Sequence, residues 1–115
     1  MIENRRSRRK STRQTIAVTN AFTGEVVGDV GNLSIDGMLL IANRALPDHA
    51  LYQLSFELPG RNGAPARHLE VGVHEQWTEP AAAPDQFWAG FRIIDIGPDD
   101  RVALAAWIDT QDEEA

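Results

Sequence analysis

The stretch that decides the fold is LYQLSFEL, residues 51–58, in which Tyr52, Leu54, Phe56 and Leu58 alternate with Leu51, Gln53, Ser55 and Glu57. A period of two belongs to a strand with one face on a core and the other in water. Upstream, QTIAVTN (14–20) and GEVVGDVGN (24–32) flank Phe22-Thr23-Gly24 and read as a hairpin whose glycine supplies a positive φ. MLLIAN (38–43) is apolar enough for a buried strand. Downstream, PGRNGAP (59–65) is a cluster of turn residues and HLEVGVHEQW (68–77) alternates again. TEPAAAPDQ (78–86) is a proline-broken loop, and FWAGFRIIDI (87–96) makes a sixth strand. Six short strands joined mostly by hairpins favour an all-β, six-stranded antiparallel β-barrel, because closure removes the exposed edges that invite aggregation. The tail PDDRVALAAWIDTQDEE changes character: its alanine and leucine content is helical, Asp99 and Asp100 suit a helix N-terminus, and Leu104 and Ile108 are i,i+4 neighbours. A C-terminal α-helix is expected at about 98–111, packed on the barrel, with Trp88 and Trp107 in structural roles.

At 115 residues, 43% hydrophobic and 24% charged, the chain has the composition of an ordinary globular protein. Its organisation reads as a flexible basic arm over 1–13 followed by a single barrel domain over 14–112. No apolar run is long enough to span a membrane, and no apolar stretch follows the basic N-terminus as in a secretory signal, so a cytoplasmic location is expected. Cysteine is absent, which excludes disulfides, thiolate metal sites and a cysteine nucleophile. His49, His68 and His74 lack the spacing of a helical metal pair. The expectation is therefore a protein that is not an enzyme and holds no metal or cofactor.

The net charge of −6 conceals an asymmetry. Six of the eleven cationic side chains stand before residue 14 against Glu3 alone, so the arm carries +5 and the remainder −11. An arm of this kind suits an anionic ligand, whereas the body repels a long polyanion, and a small doubly charged molecule fits both facts. The arm ends in RRKSTR, residues 8–13, with Arg9 and Arg13 four apart. Arginine offers a planar fork of donors that matches phosphate or the O6/N7 edge of guanine, and a flat face that stacks on a base. The second stretch is NLSIDG, residues 32–37. Asn32 and Ser34, two apart, leave the same face of an extended segment, and Gly37 permits a tight turn or a close approach to backbone. The alternative for this stretch is a β-turn in which Asn and Ser satisfy local backbone groups.

Taken together, an RxxxR segment before the first strand and an NxSxxG segment after the second resemble the PilZ domain family of cyclic di-GMP receptors. The resemblance spans roughly residues 8–108 and includes Gly90-Phe91 in the last strand. It implies a PilZ-like split barrel and a non-enzymatic bacterial receptor in which Arg9 and Arg13, with Arg8 as a third, clamp cyclic di-GMP. It further implies that Asn32 and Ser34 contact a guanine or an arginine, that Gly37 is conformational, and that Trp77 at the end of the fifth strand is a ligand contact or a packing residue. A second RxxxR, Arg5 to Arg9, leaves the clamp register open; Arg9/Arg13 is preferred because Arg13 directly precedes the first strand.

The leading expectation is a receptor or adaptor that orders its arm on binding cyclic di-GMP and signals to a separate effector protein. The alternative is a PilZ-fold protein-interaction module that binds no nucleotide. A nucleic-acid polymer is discouraged as a partner by the acidic body and the scarcity of aromatics near the arginines. Ligand stoichiometry, one molecule or a stacked pair, and oligomeric state stay open.

Overall fold

The computed structural model describes residues 10–11, 15–60 and 63–113. Within them the elements run β1 Lys10–Ser11, β2 Ala17–Asn20, β3 Val26–Leu33, β4 Gly37–Ala42, β5 Leu51–Leu58, β6 Arg67–Pro80, β7 Phe87–Ile96 and α1 Pro98–Glu113. Neighbouring strands follow the order β3-β2-β5-β6-β7-β4, and β4 pairs back onto β3, so six antiparallel strands close a barrel. The sequence anticipates each of these six strands and the helix. It does not anticipate β1, a two-residue strand that lies against the far half of β3 on the edge β2 uses for the near half.

Alternation sorts the side chains. On β5, Leu54, Phe56 and Leu58 are buried while Leu51 and Glu57 face water. Val18, Leu40, Leu69, Val71, Val73 and Ala89, all fully enclosed, extend that core around the barrel. In the β2–β3 hairpin the Asn20 carboxamide oxygen accepts the N–H groups of Phe22 and Thr23 at 2.9 and 3.2 Å, and Gly24 takes φ 81°. This is an Asx-type turn closed by a residue without a Cβ. Four successive strand pairs are hairpins; β4 to β5 is not, because β4 pairs with β3 and β7 while β5 pairs with β2 and β6. Residues 43–50 make that crossing with Leu46 buried beneath them.

The helix carries Asp99 and Asp100 in its first turn, where they complement the positive end of its dipole. Arg67 at the start of β6 donates to Asp100 at 2.8 Å, fixing the helix entry. Leu104, Trp107 and Ile108 form one buried stripe against the barrel, so the i,i+4 pair seen in the sequence is the docking face. Leu104→Ala is therefore expected to lower the unfolding free energy by about 2–5 kcal/mol in a urea titration, with one cooperative transition retained. A helix that merely leaned on the barrel would lose its own signal and leave the barrel midpoint unchanged.

Candidate ligand-binding site

Two β-bulges build the site. Val30 pairs with Leu40 and Asn32 with Leu39, so β3 uses one residue more than β4 over that step. The extra residue, Gly31, reverses the alternation: Val30 and Leu33 face the core and Asn32 faces out. On β6, Leu69, Val71, Val73 and Glu75 all point inward, and unbroken alternation would send Trp77 after them. The register slips instead between Glu75 and Trp77, with Glu75 opposite Phe91 and Trp77 opposite Gly90, so the indole turns out onto the barrel wall.

The result is one outward row across neighbouring strands: Trp77 on β6, Gly90 on β7, Leu39 on β4 and Asn32 on β3, with Ser11 of β1 as the next backbone partner. Three strand spacings separate Trp77 from Asn32, about 14 Å along the wall. A cleft of about 210 Å³ lies over this row, and Asn32, Ser34, Gly37 and Trp77 all line it together with Asp36 and Gln76. The Asn32 carboxamide makes no hydrogen bond to a described residue and is free to present both its donor and its acceptor.

Ser34 and Gly37 form the lower corner. The strand stops at Leu33, so Ser34 does not continue the extended face expected of the Asn32/Ser34 pair; it opens a turn. Its N–H donates to Gly37 O at 2.9 Å, and its hydroxyl proton is shared by Asp36 Oδ1 at 3.0 Å and Gly37 O at 3.2 Å. Ser34 is 4% exposed, so most of its role is to hold the turn, although it also lines the cleft. Gly37 does not take a positive φ; its value is close approach, since a Cβ there would lie 3.0 Å from Phe91 O.

Trp77 is 44% exposed and lies on Gly90: a Cβ at Gly90 would fall 2.4 Å from the indole Nε1 and 2.6 Å from Cε2. Beneath it, Glu75 is fully buried and doubly satisfied, accepting the His49 N–H at 2.8 Å and the Thr78 hydroxyl at 2.6 Å. A buried carboxylate without donors is strongly disfavoured, so these two bonds fix the strand on either side of Trp77 and tie the 43–50 crossing to it. Burial raises the Tyr52 phenol above its ordinary value; the Arg44 charge opposes the rise and the Glu75 charge adds to it. Tyr52 in turn packs edge-on against Phe91, ring centroids 6.0 Å apart, on the inner side of the wall that carries the cleft.

Of the residues singled out in the sequence, Arg8, Arg9 and Arg13 lie outside the described residues. The backbone of Lys10 and Ser11, between Arg9 and Arg13, pairs with Leu33 and Asn32. Sequence reading missed Glu75, which looks like one more polar residue in an alternating strand, and missed the seat that Gly90 makes for Trp77. It also missed the stacking of His49 on His74, ring centroids 5.6 Å apart, which depends on the 43–50 crossing. Among the described residues no cluster of three or more metal-ligating side chains exists, and no helix is long and apolar enough to cross a membrane.

No family profile matches the chain, and no curated protein sequence does. Solved structures do. The Bacillus subtilis inhibitor of motility, MotI/DgrA, superposes with a TM-score of 0.75 at 14% identity over 98% of this chain. This chain covers 53% of that protein, about half its length. The PilZ domain of YcgR from Escherichia coli, solved with c-di-GMP, superposes with a TM-score of 0.64 at 16% identity, covering 97% of this chain and 94% of the other. At such identities the likeness is one of fold.

Two substitutions separate the roles within the cleft. Gly90→Ala is expected to push the exposed indole off its seat while the barrel stays folded, visible as a shift in tryptophan emission that is absent in a Gly90→Ala/Trp77→Phe double variant. Ser34→Ala is expected to lower the unfolding free energy by about 1 kcal/mol, because a buried turn loses its side-chain hydrogen bond; an unchanged urea midpoint would return Ser34 to a pure surface role.

Proposed function

From the PilZ-like barrel that this chain forms, we propose that it is a cyclic di-GMP receptor that acts without catalysis and passes the bound state to a separate protein. The observation that carries the reading is the register of β1. Lys10–Ser11, the middle of the Arg9-to-Arg13 segment, pairs with Leu33–Asn32, the opening of the Asn32-to-Gly37 segment. The middle of one motif is thus paired, through its backbone, with the opening of the other, whose Asn32 lines the cleft, and that supports reading the two as one site.

The division of labour follows from side-chain chemistry. Asn32 offers a guanine edge one acceptor and one donor. Trp77, seated against Gly90 and 44% exposed, is a candidate stacking platform, and base-on-aromatic contacts are worth about 1–3 kcal/mol. Arg9 and Arg13, with Arg8, bring the fork donors and positive charge that the phosphodiesters require. Ser34 holds the turn and lends a lone pair to an arginine or base, and Gly37 keeps the corner low. The register favours Arg9/Arg13 over Arg5/Arg9 as the clamp, since the paired dipeptide sits within the former. Ordering the arm along β3 on binding gives a surface that a partner can read.

Calorimetric titration with cyclic di-GMP tests the reading. Saturable binding is expected, with little affinity for GTP. Arg9→Ala and Arg13→Ala are each expected to weaken it by about 1.5–3 kcal/mol, and Arg5→Ala by much less. Damage from Arg5→Ala with a harmless Arg13→Ala would move the clamp four residues upstream. Absence of heat at high micromolar ligand would leave a PilZ-fold interaction module in its place. Asn32→Asp is expected to tighten binding by about 1 kcal/mol, because a carboxylate accepts from both donors on the N1/N2 edge of guanine.

A further inference from the structure

We propose that Arg92 is a phosphate-binding residue at the margin of this cleft, so that a cyclic dinucleotide lying between Asn32 and Trp77 sets a phosphodiester on the Arg92 guanidinium. The proposal deepens the receptor reading and rests on it.

Register places the side chain. Arg92 pairs with Gly37 on β4 and with His74 on β6, and it stands two residues beyond Gly90 on the same outward face of β7. Two residues along a strand are about 6.6 Å, so Arg92 leaves the outward face of β7 about that far from the glycine that the indole covers. On its β4 side the partner is Gly37, which has no side chain to stand between Arg92 and the floor of the cleft; beyond it the backbone of Asp36 reaches β7, accepting the Ile93 N–H at 2.9 Å. Arg92 is exposed, and both its cross-strand partner Gly37 and the strand position Gly90 line the cleft, so it stands at the cleft's margin, one row over from Asn32 and Trp77.

Charge says what it would hold. None of the side chains that line the cleft is cationic, and Asp36 is acidic. The chain beyond residue 13 carries −11, a setting in which an arginine would be expected to pair with one of the many carboxylates. Arg44 does so with Glu25 at 3.6 Å and Arg67 with Asp100 at 2.8 Å. Arg92 has no ion pair among the described residues. The row it belongs to, Leu51, His74, Arg92 and Gly37, contains no carboxylate. Asp36, the acid nearest by position, already accepts the Ser34 hydroxyl through Oδ1, and Asp95 is set beside Gly72, farther along β7. A dianionic ligand lying on this wall would otherwise meet only neutral and acidic groups among the described residues. A guanidinium at this margin offers the phosphate a positive charge at contact distance.

Calorimetry with cyclic di-GMP on the full chain decides it, comparing wild type, Arg92→Gln, Arg92→Lys and Arg101→Gln. Arg101 serves as the charge control because it stands on the helix, past the end of β7. Arg92→Gln is expected to weaken binding about tenfold or more with an unchanged thermal melt, since the side chain is exposed. Arg92→Lys, which keeps a point charge for phosphate, is expected to retain most of the affinity, and Arg101→Gln to stay within about twofold of wild type. Equal affinities for Arg92→Gln and Arg101→Gln would overturn the role of Arg92 and leave the receptor reading standing. A Lys variant as weak as the Gln variant would overturn the phosphate assignment in favour of a base edge. No binding by wild type would remove both the receptor reading and this one.

Discussion

A strand that closes into a small barrel must send every second side chain into the core, and the cleft exists because two strands break that rule at the same level of the wall. Without the extra residue at Gly31, Asn32 would follow Val30 inward and meet Met38 and Phe91 as an unpaired amide; without the one at Gln76, Trp77 would follow Glu75. Each bulge exchanges a ladder position for a change of face. Because both occur in the row that includes Leu39 and Gly90, their effects add: one outward amide and one outward indole face the same floor about 14 Å apart. Neither residue is placed by a loop. Both stand on strands whose opposite faces are locked in the core, which limits how far the cleft can distort.

Such exposure needs reinforcement from within, and Glu75 supplies it. A carboxylate at a fully enclosed position is tolerated only with donors in contact, and here they come from two directions: the hydroxyl of Thr78, one residue past the bulge and Trp77, and the backbone N–H of His49, on the crossing between β4 and β5. His49 holds φ 60°, a left-handed conformation that a non-glycine residue adopts at some cost, and the bond to Glu75 helps to offset it. The one connection in the barrel that is not a hairpin is thereby fastened to the strand that presents Trp77.

Period-two patterns with turn residues between them made the barrel legible in the sequence, and the alanine-rich tail made the helix legible. LYQLSFEL and FWAGFRIIDI coincide with β5 and β7 to the residue. What periodicity could not reveal is where it fails. Bulges at Gly31 and Gln76 are single-residue slips fixed by the partner strand, and no local signal in HLEVGVHEQW distinguishes an inward Trp77 from an outward one. The pairing of Lys10–Ser11 with β3 was invisible for a related reason: two residues form no pattern. Ser34 was read as part of an extended face because NLS continues the β3 alternation, whereas Gly37 and Asp36 capture its hydroxyl and end the strand. Asn32, Gly37 and Trp77 were singled out as candidates from chemistry and resemblance, yet the reason they converge on one cleft is tertiary.

The same geometry bears on how a bound ligand would be communicated. A two-residue strand gains little from its own ladder, and fixing each backbone residue opposes it by about 1–2 kcal/mol, so β1 alone is a marginal element. A ligand gripped by Asn32 and Trp77 on the barrel and by Arg9 and Arg13 around β1 would add the missing contacts where the arm meets β3, and in the proposed reading that is how occupancy is coupled to the course of the arm. The body favours such a mechanism electrostatically: with −11 beyond residue 13, long-range attraction to a polyanion is weak, while the arm's +5 can act at contact distance on a small dianion. In that reading, affinity draws on the arm and the wall being engaged at once. A partner that recognises the arm along β3 would therefore be reporting ligand and protein together, since in this reading its surface is completed only when both are present.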